Sequence, residues 1–165
     1  MSIIYCMDTS AWIGMKQVYP ARTFPTLWNK LDTLTKNTRL ISPNEVFKEL
    51  ERKDDEVFKW VKQRKKIFSK LNDEEMIALT LGIEAEFPNW VDHQKETPEA
   101  DPFVIALACL EKKNLQMLGD ECVVVSEERP RTNINAKSKI PDVCRRYNLR
   151  HFSNLELINN EDWKF

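Results

Sequence analysis

Carboxylates are the side chains in this sequence with both the number and the placement to do chemistry. Asp8 follows the apolar run Ile3-Ile4-Tyr5-Cys6-Met7 and precedes Thr9 and Ser10, while Glu127 and Glu128 follow Val123-Val124-Val125-Ser126. Glu49 lies within Glu45-Val46-Phe47-Lys48-Glu49-Leu50, and Asp101 stands just ahead of the apolar stretch Phe103–Leu110. An acid at a half-buried strand end needs a partner, a metal or a raised pKa. Hard oxygen ligands suit Mg2+ or Mn2+. A cation held by two or more carboxylates keeps positions open for water and a phosphate oxygen, and such chemistry requires no protein nucleophile. Each acid also has an ordinary reading: Asp101 as a helix cap, Glu49 as a solvated helix residue.

Other catalytic classes are poorly supplied. There are two histidines, His93 and His151, and three glycines, at 14, 82 and 119, which exclude a P-loop and a G-x-G-x-x-G turn. The four cysteines, Cys6, Cys109, Cys122 and Cys144, contain no C-x-x-C pair and sit among apolar neighbours, as buried reduced thiols of a cytoplasmic protein do.

The elements that must position these acids can be read from hydrophobic patterning. Ile3–Met7, Arg39–Ile41, Cys122–Val125 and, more weakly, Arg150–Phe152 are short apolar runs without alternation, as expected for parallel strands covered on both faces. Ser42-Pro43-Asn44-Glu45 has the form of a helix start capped by Ser42, with the helix running through Leu50. Asn72-Asp73-Glu74-Glu75 starts another, reaching about Phe87. Residues 55–70 put Val57, Trp60, Val61 and Phe68 on one helical face, and a central buried helix begins near Pro102. Strands alternating with helices predict an α/β domain with a mostly parallel sheet, in which acids at strand ends share the crevice beyond the carboxyl edge.

At 165 residues, with 42% hydrophobic and 31% charged residues, the chain has the size of one domain, and residues 54–95 read as a helical elaboration of it. The eight-residue run Phe103–Leu110 is far short of a membrane span, and no signal peptide is visible. The net charge of −1 hides an asymmetry: residues 129–150 carry seven basic residues against Asp142 alone, leaving −7 for the rest. That stretch begins beside Glu128 and suits a phosphodiester backbone, with Arg129, Arg131 and Lys139 as its candidate contacts. The run Lys62-Gln63-Arg64-Lys65-Lys66 reads as a solvated helix face, and Trp12, Trp28 and Trp90 as core residues rather than base-stacking ones.

Taken together and in order, Asp8-Thr9-Ser10 after an apolar strand, Glu49 in its helix, Ala100-Asp101-Pro102 before an apolar helix and Val123-Val124-Val125-Ser126-Glu127-Glu128 resemble the PIN-domain family over about residues 2–152. The likeness is to its toxin-like, single-domain branch, and to a subgroup sharing Lys139-Ile140-Pro141-Asp142-Val143-Cys144. The resemblance implies a three-layer PIN-like domain with four to five strands, and a Mg2+- or Mn2+-dependent endoribonuclease acting on single-stranded or structured RNA. By position, Asp8, Glu49 and Asp101 match three acids of the motif, and Thr9 or Ser10 the hydroxyl beside them. The fourth acid departs from the pattern. Glu128 stands where the family usually has Asp, its extra methylene extending the reach by about 1.5 Å, with Glu127 and Asp142 as substitutes. The resemblance also implies a small antitoxin partner and self-association as a dimer. Two other readings stand beside it. Asp8 as a phosphotransferase nucleophile lacks the second Asp two residues on, where Ser10 stands, and a PIN-like module can bind RNA or protein without cutting.

Overall fold

Apolar residues at every position of Ile3–Met7 form a strand, β1, that is paired on both edges and covered on both faces. The computed structural model describes residues 2–53, 55–68 and 73–165. Beside β1 lie β2 (Leu40–Ile41) and β3 (Glu121–Val125), and β4 (Arg150–Phe152) extends the sheet beyond β3. The order is β2-β1-β3-β4 and every pairing is parallel, with Tyr5 opposite Leu40 and Val123, and Val124 opposite His151. The four-stranded parallel sheet flanked by helices is the α/β architecture expected from the patterning.

Parallel strands require crossovers, and right-handed ones put the helices on both faces. Between β1 and β2 run α1 (Thr9–Val18) and α2 (Pro25–Lys36). Between β2 and β3 come α3 (Asn44–Lys53), α4 (Asp55–Lys62), a single 3-10 turn (Lys65–Phe68), α5 (Glu74–Glu86) and α6 (Asp101–Leu115). Then α7 (Ile140–Arg146) leads to β4, and α8 (Asn154–Asn160) follows it. The apolar α6 packs on β3 and β1, with α5 and α7 against it, whereas α1 meets α8 and α2 meets β2. The chain thus leaves β1 toward β2 and leaves β3 toward β4, in opposite directions. A crevice opens at the carboxyl edge between those two strands.

Three expectations need correction. Ser42 does not serve as a cap: its hydroxyl donates to the Met7 carbonyl (2.7 Å) and accepts from Trp12 Nε1 (3.1 Å), so it ties β1 to α1. The helix it precedes begins at Asn44 and reaches Lys53. In the next helix start Asp73 is the N-cap, accepting from Met76 N at 2.9 Å, and Asn72 lies outside the described residues. Residues 55–70 are not one helix, because α4 ends at Lys62 and Arg64 turns inward. The Arg64 guanidinium lies 3.9 Å from the Trp60 ring centroid and pairs with Asp32 at 2.6 Å, so the basic run is not a uniformly solvated face. Trp60 in turn packs against Trp12 and Trp28, whose indoles are buried in the core together with Trp90. Of the cysteines, Cys6, Cys122 and Cys144 are buried and Cys109 is half-exposed, all four unbridged; burial raises the Cys109 thiol to about 11. No helix among the described residues is long and apolar enough to cross a membrane.

Candidate functional site

Asp8 sits where β1 becomes α1, and its position follows from two local demands. Its backbone N–H donates to Val125 O (2.9 Å), continuing the sheet by one more bond, while its side chain caps α1. Oδ2 accepts from both Ser10 N (3.2 Å) and Ser10 Oγ (2.7 Å). Oδ1 has no hydrogen-bond partner among the described residues, although the residue is only 2% exposed. A buried carboxylate oxygen without a partner is costly. Burial raises the Asp8 carboxyl to about 6, with the Glu128 charge adding to it against the Ser10 hydrogen bonds.

Asp101 opens α6 as its first residue. The residue before it, Ala100, occupies the cap position, so Asp101 is the first helical residue and not the N-cap. Its carboxyl is pushed up to about 8, by burial first and then by the charges of Asp8, Glu128 and Glu49. The four acids therefore do share one electrostatic environment. Asp8, Glu49, Asp101, Glu127 and Glu128 line a single crevice of about 600 Å³, with Thr9 and Ser10 in its wall.

The structure gives these acids unequal roles. Both Glu49 oxygens are occupied: Oε2 accepts from Thr9 Oγ1 (2.6 Å) and Oε1 from Ala100 N (2.9 Å). Glu49 thereby fastens the start of α1 to the start of α6 and fixes the approach of Asp8 and Asp101. Glu128 Oε2 accepts from Ile140 N (2.7 Å) at the start of α7, and Glu127 Oε1 accepts from Asn154 N (2.7 Å) at the start of α8. Glu127 N donates to Ser10 Oγ (3.1 Å), closing a chain from the β3 loop through Ser10 to Asp8. Asp142 is elsewhere. Its Oδ2 accepts from Lys139 N and Arg131 N, so it caps α7 and does not line the acidic crevice.

Among the described residues no group of three or more His, Cys, Asp or Glu is close enough, as the side chains stand, to hold a metal ion. The pair Asp8 and Asp101 nevertheless fits a divalent cation in the manner of Mg2+, which takes one or two carboxylates and keeps several waters. The partnerless Asp8 Oδ1 is the oxygen such an ion would satisfy, and Glu49 and Glu128 stand close enough to add to the local negative field.

Arg129, Arg131 and Lys139 do not line the crevice, whose cationic members are Lys53, Lys95 and Lys137. Arg129 and Lys139 are exposed, and Arg131 is turned to its own loop, donating to Ile134 O and Ala136 O. Lys53 could have been found from its position one helical turn after Glu49, to which it lies at 3.9 Å. Gly14 was also missed. A Cβ there would meet Glu127 Cγ at 2.7 Å, so the glycine on α1 is what lets that acid approach. The sequence contains one more pairing that only the fold reveals: Ser126 Oγ lies 2.7 Å from His151 Nε2. Ser126 is wholly buried and accepts from Glu128 N, and burial lowers the His151 pKa, so this pair braces the β3 loop rather than meeting a substrate.

Fold and site define an open parallel α/β domain with an acid-lined crevice at the point where the strand order reverses. A family model described as "Domain of unknown function (DUF4411)" matches residues 5–165, and the chain belongs to that family. No curated protein and no solved structure matches the chain.

Proposed function

We propose that the protein is a Mg2+- or Mn2+-dependent endoribonuclease of PIN-like type that hydrolyses phosphodiester bonds of single-stranded RNA. The observation that carries this reading is the buried Asp8, with one oxygen unpartnered, facing Asp101 in a crevice at the carboxyl edge of the sheet. The metal, when bound, would supply a more acidic attacking water and charge neutralisation at phosphorus. The chain's own contribution is positional. Asp8 and Asp101 would hold the ion, Glu49 keeps the two helix starts together, and Ser10 aligns Asp8 through a 2.7 Å hydrogen bond. Lys53, Lys95 and Lys137 on the rim draw the phosphate backbone to an otherwise acidic site. In this reading the protein acts in the cytoplasm, where four unbridged cysteines stay reduced, and its PIN-like character brings with it a small antitoxin partner and a homodimer.

A second reading has its own support. Glu49, Glu127 and Glu128 are each engaged by backbone amides, and no three-acid group stands ready for an ion among the described residues, as befits a module that binds RNA or protein without cutting. One experiment separates the two: incubation of purified protein with labelled single-stranded RNA in EDTA, Mg2+ and Mn2+. Cleavage restored only by metal supports the hydrolase; undiminished cleavage in EDTA, or none under any condition, removes it.

A further inference from the structure

Beyond the acidic crevice the concave surface continues, and its chemistry changes at one residue. Lys137 lines the crevice and also a second groove of about 440 Å³ between residues 86–90 and 131–138. That groove shares Phe87, Arg131, Ile134 and Ser138 with a third of about 610 Å³, which reaches Arg145 and Arg146. The carboxylates here are already engaged. Glu86 pairs with Arg146 at 2.5 Å and accepts from the Tyr147 hydroxyl, and Asp142 accepts two backbone amides. Lys137 and Arg145 thus give the groove a positive character that the crevice lacks.

The groove also offers faces for bases. Phe87 lines both of its halves and is held by the buried Trp90 in an edge-on contact, 6.1 Å between centroids at 66°. Ile134, which lines the same grooves, is 80% exposed on a loop held in shape by the Arg131 guanidinium and by Asn133 Oδ1, which accepts from Asn135 N and Ala136 N. Amide side chains, Asn89 and Asn135, line the same groove. An aromatic face, neutral amides and cations along one track are what binds single-stranded nucleic acid.

We propose that RNA entering the acidic crevice continues over Lys137 into this groove, where one or two bases pack against Phe87 and Ile134 and the backbone meets Lys137 and Arg145. The inference rests on the hydrolase reading for its substrate but not for its test. Binding of labelled single-stranded RNA of about four, eight and twelve nucleotides, the range one such track covers, is measured by fluorescence anisotropy in EDTA. Affinity should rise from the shortest to the middle length and then level. Phe87→Leu, which keeps bulk and removes the ring, should weaken binding of the longer strands about tenfold. Lys137→Gln should lower the salt slope by about 0.7. Since Phe87 also touches the core, Ile134→Asp on the exposed loop provides a variant without a folding cost, and it too should weaken binding.

Equal affinity at all lengths, or unchanged affinity in Phe87→Leu and Ile134→Asp, overturns the track. So does a loss of self-association in Ile134→Asp with RNA binding intact, which would make the groove a protein interface. Variants that weaken binding while the wild type never cleaves with Mg2+ or Mn2+ would leave the track standing and remove the hydrolase. Full metal-dependent cleavage of long RNA by both variants would do the reverse.

Discussion

At the amino-terminal end of the sheet Glu161 receives the Arg39 guanidinium through two hydrogen bonds, at 3.0 and 2.5 Å, and the Tyr5 hydroxyl at 2.6 Å. Arg39 Nε is in turn spent on Ile3 O, and Asn160 donates to the Tyr5 oxygen. At the carboxyl end Asp8 and Asp101 line one crevice whose lining holds no arginine among the described residues, and among these Asp8 Oδ1 has no hydrogen-bond partner. One scaffold thus carries a carboxylate whose charge is compensated and a pair whose charge is not. The first geometry favours folding, since a partly buried ion pair with its donors satisfied holds β1, β2 and α8 in register. The second disfavours folding in the absence of a cation, and a protein retains such strain where binding relieves it.

The largest expected effect breaks the uncompensated side. Asp8→Asn keeps an acceptor for the α1 cap, since Asn caps as well as Asp, and removes one of the repelling charges. Metal-dependent cleavage should fall by more than the 10–100-fold typical of losing an outer-shell partner. The metal-free melting temperature should stay level or rise. Melting curves with and without Mg2+ check both halves: Mg2+ should raise the melting temperature of the wild type, and raise that of the variant much less. A variant that melts well below wild type in EDTA and still responds fully to Mg2+ would place Asp8 among the structural carboxylates.

The compensated side should respond in the opposite sense. Glu161→Ala leaves Arg39 and Tyr5 without their acceptor and should cost about 2–3 kcal/mol, below the 3–5 of a fully buried pair because the two side chains are 26% and 13% exposed. Urea midpoints measure it, and metal-dependent cleavage at temperatures well below the transition should be unchanged. Glu49→Gln then tests whether an acid whose oxygens are both occupied acts by position. It should lower cleavage about 10–100-fold with little change in stability, because one hydrogen bond of the two survives. Loss no greater than twofold would make Glu49 dispensable.

The smallest effect per step is in the pH profile of the metal-free protein. Asp8 and Asp101 hold protons more tightly in the folded chain, to about 6 and about 8, than at the ordinary carboxylate value of 3.8. Between about pH 4 and pH 8 the folded state therefore binds more protons than the unfolded, and stability should fall as pH rises, by about 1 kcal/mol per unit where one such group titrates. Asp8→Asn should flatten the lower part of that slope, and saturating Mg2+ should flatten it throughout. Glu161→Ala should leave the slope in place. A metal-free profile that rises over this range would show that the acids are compensated after all.

How much of this was legible beforehand depends on how local each cause is. β1, β2 and β3 stand where unbroken apolar runs put them, because a strand covered on both faces has no polar side to display, whereas the edge strand β4, with Arg150 exposed, carried only a weak signal. The capping of α5 fell to Asp73, beside the expected residue, and the Ser42 hydroxyl was claimed by Met7 and Trp12, partners no local pattern contains. The break after Lys62 was hidden because Trp60 needs Arg64 turned inward, and that demand arises from Trp12 and Trp28 on other helices.

The candidate site divides along the same line. Sequence alone pointed to the acids that meet: Asp8, Glu127 and Glu128 follow strands and Asp101 opens a helix, points that a parallel sheet gathers at its carboxyl edge, while Glu49, inside α3, was placed with them by the order of the motifs. Only the tertiary structure decided what each acid does there. It gave both Glu49 oxygens to Thr9 and Ala100, sent Asp142 to the start of α7, drew Glu127 against Gly14 and lined the crevice with Lys53, Lys95 and Lys137, leaving Arg129, Arg131 and Lys139 outside it. The physical reason is that a backbone pattern fixes where a Cα lies, whereas a carboxylate's role depends on which amides and cations from distant segments reach its two oxygens.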